Sequence, residues 1–375
     1  MKRFKLRILS AALVAVMGIT GMVGCGAATL DGTKTVATIN GEEVSLGLAS
    51  FALRYSQAQT DYYYQQLSAM YQGLGMADQD WDATAEGETK TNGERTKDDI
   101  MKRISELYEV KAHAKEYGVE LEQSELDKIL AAAKEFIANN DTSLLARMGV
   151  SESDVAKYLE LETYYKKAYE PMVADKDTSV TDEEAAQSTV TYSFLSTNNI
   201  EDEEAEKIVG ELLEELKKVE DIATFDIETL AKEKNEVFMT TTTSFGDNEE
   251  EGTGFDAAAK EAARTLKDGE LYQEVIKGAS GGGYFIVRMD KTNDPEATEN
   301  KKESLEKEKK QEAFNEMVDG WVEAADITVN EKIWNEVKLT NKEKYTIKVE
   351  PVAEVTPTAE AEVPADEAED TEVVE

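Results

Sequence analysis

Apolar residues recur along this chain with two periods, and the switch between them divides it. "VATINGEEVS", residues 36–45, alternates small apolar and polar residues on either side of Asn40-Gly41. That dipeptide accepts the positive φ of a tight turn, so two short strands are predicted about it. A helix rich in Ala, Gln, Leu and Tyr is predicted from about Leu46, and the polar, Gly/Thr-rich residues 78–93 read as a loop. "YGVELEQSELDKIL", "MGVSESDVAKYLELE" and "TSVTDEEAAQ" then repeat one pattern, an apolar residue before a Ser or Thr that opens an acidic turn. Ser151 with Asp154 and Thr181 with Glu184 fit a capping box, in which the hydroxyl accepts an N3 amide proton and the N3 acid reaches back. Consecutive helices are therefore predicted over 96–117, 124–139 and 151–170, with Leu107, Val110, Ala114 and Tyr117 as an apolar stripe and Pro171 as the stop.

From about Thr189 the period shortens to two. "TVTYSFLST" sets Val190, Tyr192 and Phe194 against Thr191, Ser193 and Leu195, as a half-buried strand does. "EDEEAEKIVGELLEELKKV" is an amphipathic helix with acids at its positive end. "DIETLAKEKN" predicts a shorter helix, "VFMTTTTSFG" a strand, and "FDAAAKEAARTLKDGE" a helix ending at Gly269. "GGGYFIVRMD", 281–290, is the last strand of the unit. Residues 300–326 predict a charged helix with Phe314, Met317 and Trp321 on one face, and "ITVNEKIWNEV" a short strand and helix. The fold class expected is α+β: a mostly helical region formed by the N- and C-terminal parts, with a smaller α/β domain inserted.

The ends carry different signals. "MKRFKLR" is basic, "ILSAALVAVMGITGMV" is apolar, and Cys25 follows at once. A basic segment, a short apolar run and small residues form a secretory signal, and "MVGC" resembles the bacterial lipobox. The expectation is a signal peptide over 1–24 and a mature chain beginning at Cys25, lipidated and held on the outer face of a cell membrane. An ordinary signal peptide with a chance cysteine is the alternative. Removing 1–24 takes away four Lys/Arg and no acid, so the formal charge falls from −38 to −42. Such a chain repels nucleic acid, which is excluded as a partner. Residues 350–375 hold ten acids, three prolines and no base, a composition expected to stay disordered.

Taken together, these segments resemble the PrsA/SurA group of extracytoplasmic foldases, in which a helical chaperone region surrounds a parvulin-type prolyl isomerase domain. "VATINGEEVS" is similar to that family's opening strand, and the "GV…S/T-x-x-E" steps to its helix starts. In residues 189–291, "TYSFLST", "AEKIVGELLEEL", "FDIETLAKEKN", "LKDGEL" and "GGGYFIVRM" follow the order of the isomerase domain. The resemblance implies a helical chaperone region over 25–186, a parvulin-like domain over 187–293, and a C-terminal segment, 294–349, packing back on the chaperone region. It implies unfolded or partly folded secreted polypeptides as partners, with a homodimer left open.

The departures bear on catalysis. The family's two central histidines fall on Phe194 and Phe285, and the sole histidine, His113, lies in the N-terminal helices. "TTTTS" stands where the family has a cysteine or aspartate, and its Met and Phe cup residues fall on Phe255 and Ala259. Prolyl isomerisation faces a barrier of roughly 18–20 kcal/mol, and lowering it needs no nucleophile, metal or cofactor. An apolar cup with hydroxyls that favour the twisted amide is sufficient chemistry. Phe194, Phe245, Phe255, Leu266 and Phe285 are the candidate cup, with Ser193, Thr243 and Tyr284 as candidate donors. The other reading makes these phenylalanines the core of a domain kept as scaffold, and the protein a holdase without catalysis.

Tyr62, Tyr63, Tyr64, Met70 and Tyr71 are candidates for a peptide groove, since Tyr and Met offer adaptable apolar contact; core packing is the alternative. "DNEEE" at 247–251 lacks the alternating ligand spacing of a Ca²⁺ loop and reads as solvated. His113 has no second imidazole or thiol at ligand spacing, so no metal site is expected. A solute-binding lipoprotein is the reading from another class, but its two long α/β lobes do not match a chain that opens with helices.

Overall fold

The computed structural model describes residues 19–22, 29–70, 79–247 and 255–347. Cys25, Tyr71, most of the 247–251 acidic run and the tail 350–375 lie outside the described residues. Two compact units divide the chain: residues up to Pro171 together with those from Val318 onward, and Met172–Met317. Helices predominate and every strand pair is antiparallel, so the fold is α+β.

The first unit begins with β1 (Ile19–Met22), β2 (Thr35–Ile39) and β3 (Glu42–Ser45). Asn40 and Gly41 both take positive φ, 48° and 83°, which gives the hairpin the twist its strands need. Helices α1 (Leu46–Met70), α2 (Asn92–His113, continued by a 3₁₀ turn to Tyr117), α3 (Gln123–Asn139), α4 (Thr142–Met148) and α5 (Glu152–Val173) follow. The unit is completed from the far end of the chain by β8 (Ile327–Val329), α11 (Glu331–Trp334) and β9 (Lys344–Ile347). β8 joins β2 in the order β3-β2-β8, and β9 pairs with β1 in a sheet of two.

Asn40 fixes the first of these junctions. Its backbone N–H and side-chain carbonyl bond to the backbone of Asp326, each at 2.9 Å, while its side-chain amide donates to Glu109 at 2.8 Å. Beneath, Phe51 of α1 meets Phe136 and Tyr158 edge-on at 5.1 and 5.4 Å, locking α1 to α3 and α5. Edge-on rings of this kind add about 0.5–1.5 kcal/mol beyond their burial. Ser151 and Asp154 cap α5 as expected, and Thr91 with Glu94 forms a further capping box at α2. Two expectations are corrected. Pro171 does not stop α5, which runs on to Val173, because a proline in the last turn removes only one intrahelical donor. α4 was not expected; Asp141 caps it and Gly149, with φ of 65°, ends it.

Lys97 of α2 is 7 % exposed, with its ammonium donating to the Trp334 carbonyl at 3.0 Å and Asn335 at 3.2 Å. Burial, with Lys338 nearby, brings its pKa down to about 8. Between pH 8 and 10.5 the unfolded chain holds this proton and the native chain has released it, so native stability rises with pH there. Below pH 8 the buried charge costs on the order of 3 kcal/mol. Lys97→Met removes that cost; the Trp334 carbonyl keeps the Val337 amide at 3.3 Å and the exposed Asn335 side chain turns to water, so only about 1 kcal/mol of hydrogen bonding is lost. The variant is therefore expected to be about 2 kcal/mol more stable than wild type at pH 7, and slightly less stable above pH 10.5. Denaturant titrations of both chains at several pH values would check the crossing.

The second unit holds α6 (Asp182–Ala185), β4 (Ser188–Ser196), α7 (Asp202–Leu216), α8 (Ile227–Lys234), β5 (Met239–Phe245), α9 (Ala257–Ala263), β6 (Ile276–Lys277) and β7 (Gly283–Lys291). α10 (Pro295–Ala324) starts in it and ends in the first unit. Its strands form one sheet in the order β5-β4-β7-β6. α7 and α8 cover one face through Val209, Leu212 and Ile227, while α9 covers the other through Ala259, Ala262 and Ala263. The helix expected to reach Gly269 stops at Ala263. The chain beyond it turns to pair with β7: Gly269 donates to Met289 at 2.8 Å and Tyr272 to Val287 at 2.9 Å. A free strand edge outbids the last turns of a helix, because its amides and carbonyls otherwise lack partners.

Candidate functional site

The face of the second sheet under α9 is built by the period of two in β4 and β7. Val190, Tyr192 and Phe194 point to it from β4, and Phe285, Val287 and Met289 from β7. The register sets Phe194 directly opposite Phe285. Their ring centroids are 4.5 Å apart at 35°. Tyr192 touches Phe285 at 5.7 Å and Phe255 at 5.1 Å, and Phe255 meets Phe245 at 5.7 Å. Leu266 packs on the same cluster. All five expected cup residues are thus on one face: Phe245 and Phe285 buried, Phe194, Phe255 and Leu266 half-buried.

Backbone closeness explains one residue of "GGGYFIVRMD". A Cβ added at Gly283 would stand 2.3 Å from the Leu195 carbonyl oxygen and 2.5 Å from Cε2 of Phe194. The Phe194 ring therefore lies directly over the Gly283 backbone, a place no side chain can share. Asp256 ties the neighbouring loop down. It accepts the Ala258 and Ala259 amides at the start of α9, and the Ala279 amide at 3.0 Å.

The three expected hydroxyl donors separate. Thr243 is half-buried on the cluster face, across from Val190. Ser193 and Tyr284 are on the opposite face. Ser193 is fully buried and shares a 2.7 Å hydrogen bond with Thr240; Tyr284 packs with Leu195 and Ile286, its ring 5.4 Å from the Lys277 ammonium. The reason is elementary: a residue next to a cup residue on a strand points away from the cup. The hydroxyl that the sequence reading left out is Tyr192, in phase with Phe194 and half-buried among the rings. Burial raises its pKa, so it stays a protonated donor at neutral pH. Thr240, Thr242 and Ser244 of the "TTTTS" run serve the other face, in a ladder of Thr189–Ser244, Thr191–Thr242 and Ser193–Thr240 hydroxyl pairs.

At the two opposed positions the side chains are hydrocarbon, so neither can move a proton. Beside the cluster runs a groove of about 770 Å³ with Phe245, Leu266 and Met289 on its walls, but not Phe194 or Phe285. Arg264 on its rim is held by Asp247 at 2.9 Å and by Glu261. Among the described residues no group of His, Cys, Asp and Glu is placed to hold a metal ion. His113 lies flat on Trp321 with centroids 4.1 Å apart, its Nδ1 2.9 Å from Glu116.

The expected peptide-groove residues diverge around α1. Tyr62 packs on the core of the first unit, Tyr63 is 59 % exposed, and Tyr64 meets Tyr63 edge-on at 5.9 Å. Consecutive residues of a helix fan out by about 100° each, so these three cannot line one groove. Nothing is described of the Met70 side chain. Among the described residues no helix is long and apolar enough to cross a membrane.

No protein-family model matches the sequence, and no curated protein matches it. Solved structures similar to this chain include the peptidylprolyl isomerase PrsA from Bacillus cereus, at 18 % identity and a TM-score of 0.29 over 68 % of this chain and 96 % of that one. A structure described for SurA-like chaperones of Campylobacter jejuni aligns at 12 % identity and a TM-score of 0.26, over 79 % of this chain and 98 % of that one. The foldase protein PrsA from Streptococcus pneumoniae aligns at 20 % identity and a TM-score of 0.22, over 68 % and 96 %.

Proposed function

We propose that this protein is an extracytoplasmic chaperone of secreted polypeptides, lipid-anchored through Cys25, whose isomerase-like domain is a scaffold without catalysis. The observation that carries the reading is the opposition of Phe194 and Phe285. Each aligns with a family histidine position on its own strand, and the two positions are direct cross-strand partners. That supports the register of the resemblance. The identity of the residues speaks against catalysis: two stacked hydrocarbon rings at 4.5 Å occupy the centre, and two of the three expected hydroxyls face the other way.

A catalytic reading has one observation in its favour, the Tyr192 hydroxyl beside Phe285 with Thr243 on the same face. A proline-peptide isomerisation assay on residues 26–375 separates the two. The expected rate equals that of buffer, and Phe194→His with Phe285→His leaves it unchanged. An acceleration above about tenfold, worth 1.4 kcal/mol of barrier, that Tyr192→Phe abolishes would overturn the scaffold reading. Suppression of aggregation of an unfolded client tests the chaperone role separately, and no suppression at several-fold excess of the protein would defeat it.

A further inference from the structure

We infer that the outer edge of β9 is a strand-acceptor site. Its own leader segment, Ile19–Met22, occupies it in the full chain, and an extended, uncharged segment of a client polypeptide takes it once the leader is removed. The inference rests on the proposed removal of residues 1–24 and on polypeptides being the clients.

β9 is a short strand whose sole strand neighbour among the described residues is β1. The pairing is antiparallel and continuous: Ile19 with Ile347, Thr20 with Thr346, Gly21 with Tyr345 and Met22 with Lys344. Every other strand of the first unit keeps a partner from within residues 35–329. Among the described strands of the unit, cutting before Cys25 therefore takes a strand partner from β9 alone.

That edge is held rigidly from behind. Tyr345 and Ile347 are 2 % and 9 % exposed and pack in the core of the unit, so that core holds β9 as well as β1 does. Gln57 of α1 donates to the Glu343 carbonyl at 2.5 Å, and Arg54 donates to the Lys338 carbonyl and the Glu343 carboxylate. A row of amides and carbonyls fixed in space and short of a partner is the template for strand addition. Main-chain hydrogen bonds supply the affinity, so the site tolerates many sequences, as a chaperone's must. The occupant on the structure, Ile-Thr-Gly-Met, sets the chemistry: extended and free of charge. An acidic segment is disfavoured on a chain of this negative charge.

A tethered strand competes at an effective concentration in the millimolar range, so it lowers the apparent affinity of a micromolar ligand by up to about a thousandfold. The probe is a labelled peptide of residues 16–24, VMGITGMVG, with two terminal lysines for solubility. Two chains are compared: residues 26–375, and the full chain with its leader kept by Cys25→Ser. The expected result is binding to the first, at least about tenfold weaker binding to the second, and amide-exchange protection on binding at Lys344–Ile347. A peptide N-methylated at alternate backbone amides is expected to lose binding, and a scrambled peptide to keep it within several-fold. Equal binding to both chains, or protection elsewhere only, overturns the inference. Aggregation suppression without peptide protection at β9 overturns the site and leaves the chaperone reading standing. Protection at β9 without aggregation suppression does the reverse.

Discussion

Arg54→Ala is expected to lower the thermal midpoint of the first unit by roughly 10 °C. Arg54 is 4 % exposed, and both terminal nitrogens of its guanidinium are engaged. One arm donates to Gln57 at 2.8 Å; the other reaches the Lys338 carbonyl at 2.8 Å and the Glu343 carboxylate. Its Cζ lies 4.5 Å from the Tyr345 ring centroid, over the ring face. Truncation leaves a partly buried carboxylate and a carbonyl without their donor, and breaking one side of such a pair costs about 3–5 kcal/mol. Arg54→Lys keeps the charge but not the fork or the stacking plane, so it is expected to recover less than half of the loss. Thermal unfolding followed by the fluorescence of Trp81 and Trp334, both in this core, measures the shift. Faster amide exchange at Lys344–Ile347 is expected alongside, because the same residue pins β9. A shift below about 2 °C would mean that solvent screens the pair.

That clamp was not legible in the sequence. Arg54 and Glu343 are 289 residues apart, and no local period links them. The same holds for β6 and β9, strands of two and four residues whose existence depends on the edge they meet. What was legible was local: the Asn40-Gly41 turn, the Thr181–Glu184 capping box, and the alternation of β4. The site lies between these cases. The alternation of β4 and β7 already puts Phe194 and Phe285 in phase with Tyr192, and out of phase with Ser193 and Tyr284. Ser193 and Tyr284 neighbour the cup residues along the chain but not in phase, so the pleat turns both hydroxyls to the other face. Only the register, a long-range property, reveals that the two phenylalanines meet.

Their meeting sets the second large effect: Phe285→Ala is expected to destabilise the second unit by about 3–5 kcal/mol. Phe285 is 8 % exposed and touches Phe194 and Tyr192 across β4, with Ile276 opposite it on β6. Truncation opens a cavity that cannot collapse, since backbone fills the space on one side: Gly283 lies under the Phe194 ring, and a Cβ at Gly278 would stand 3.1 Å from the Phe285 ring. A cup kept for a proline ring behaves differently. Ligand-binding surfaces hold residues at some cost to stability, so truncation there is close to neutral or stabilising. The two readings thus predict different outcomes for one measurement, the urea midpoint of the second unit in Phe285→Ala against wild type: a clear fall for a core, none for a cup. Phe285→Leu sharpens the comparison: as core it restores most of the loss, because it refills volume. As a cup it changes client binding while leaving the midpoint in place. A fall of the midpoint in Phe285→Ala that Phe285→Leu largely reverses, with aggregation suppression unchanged in both, would place the aromatic pair in the framework and leave client binding to other surfaces of the chain.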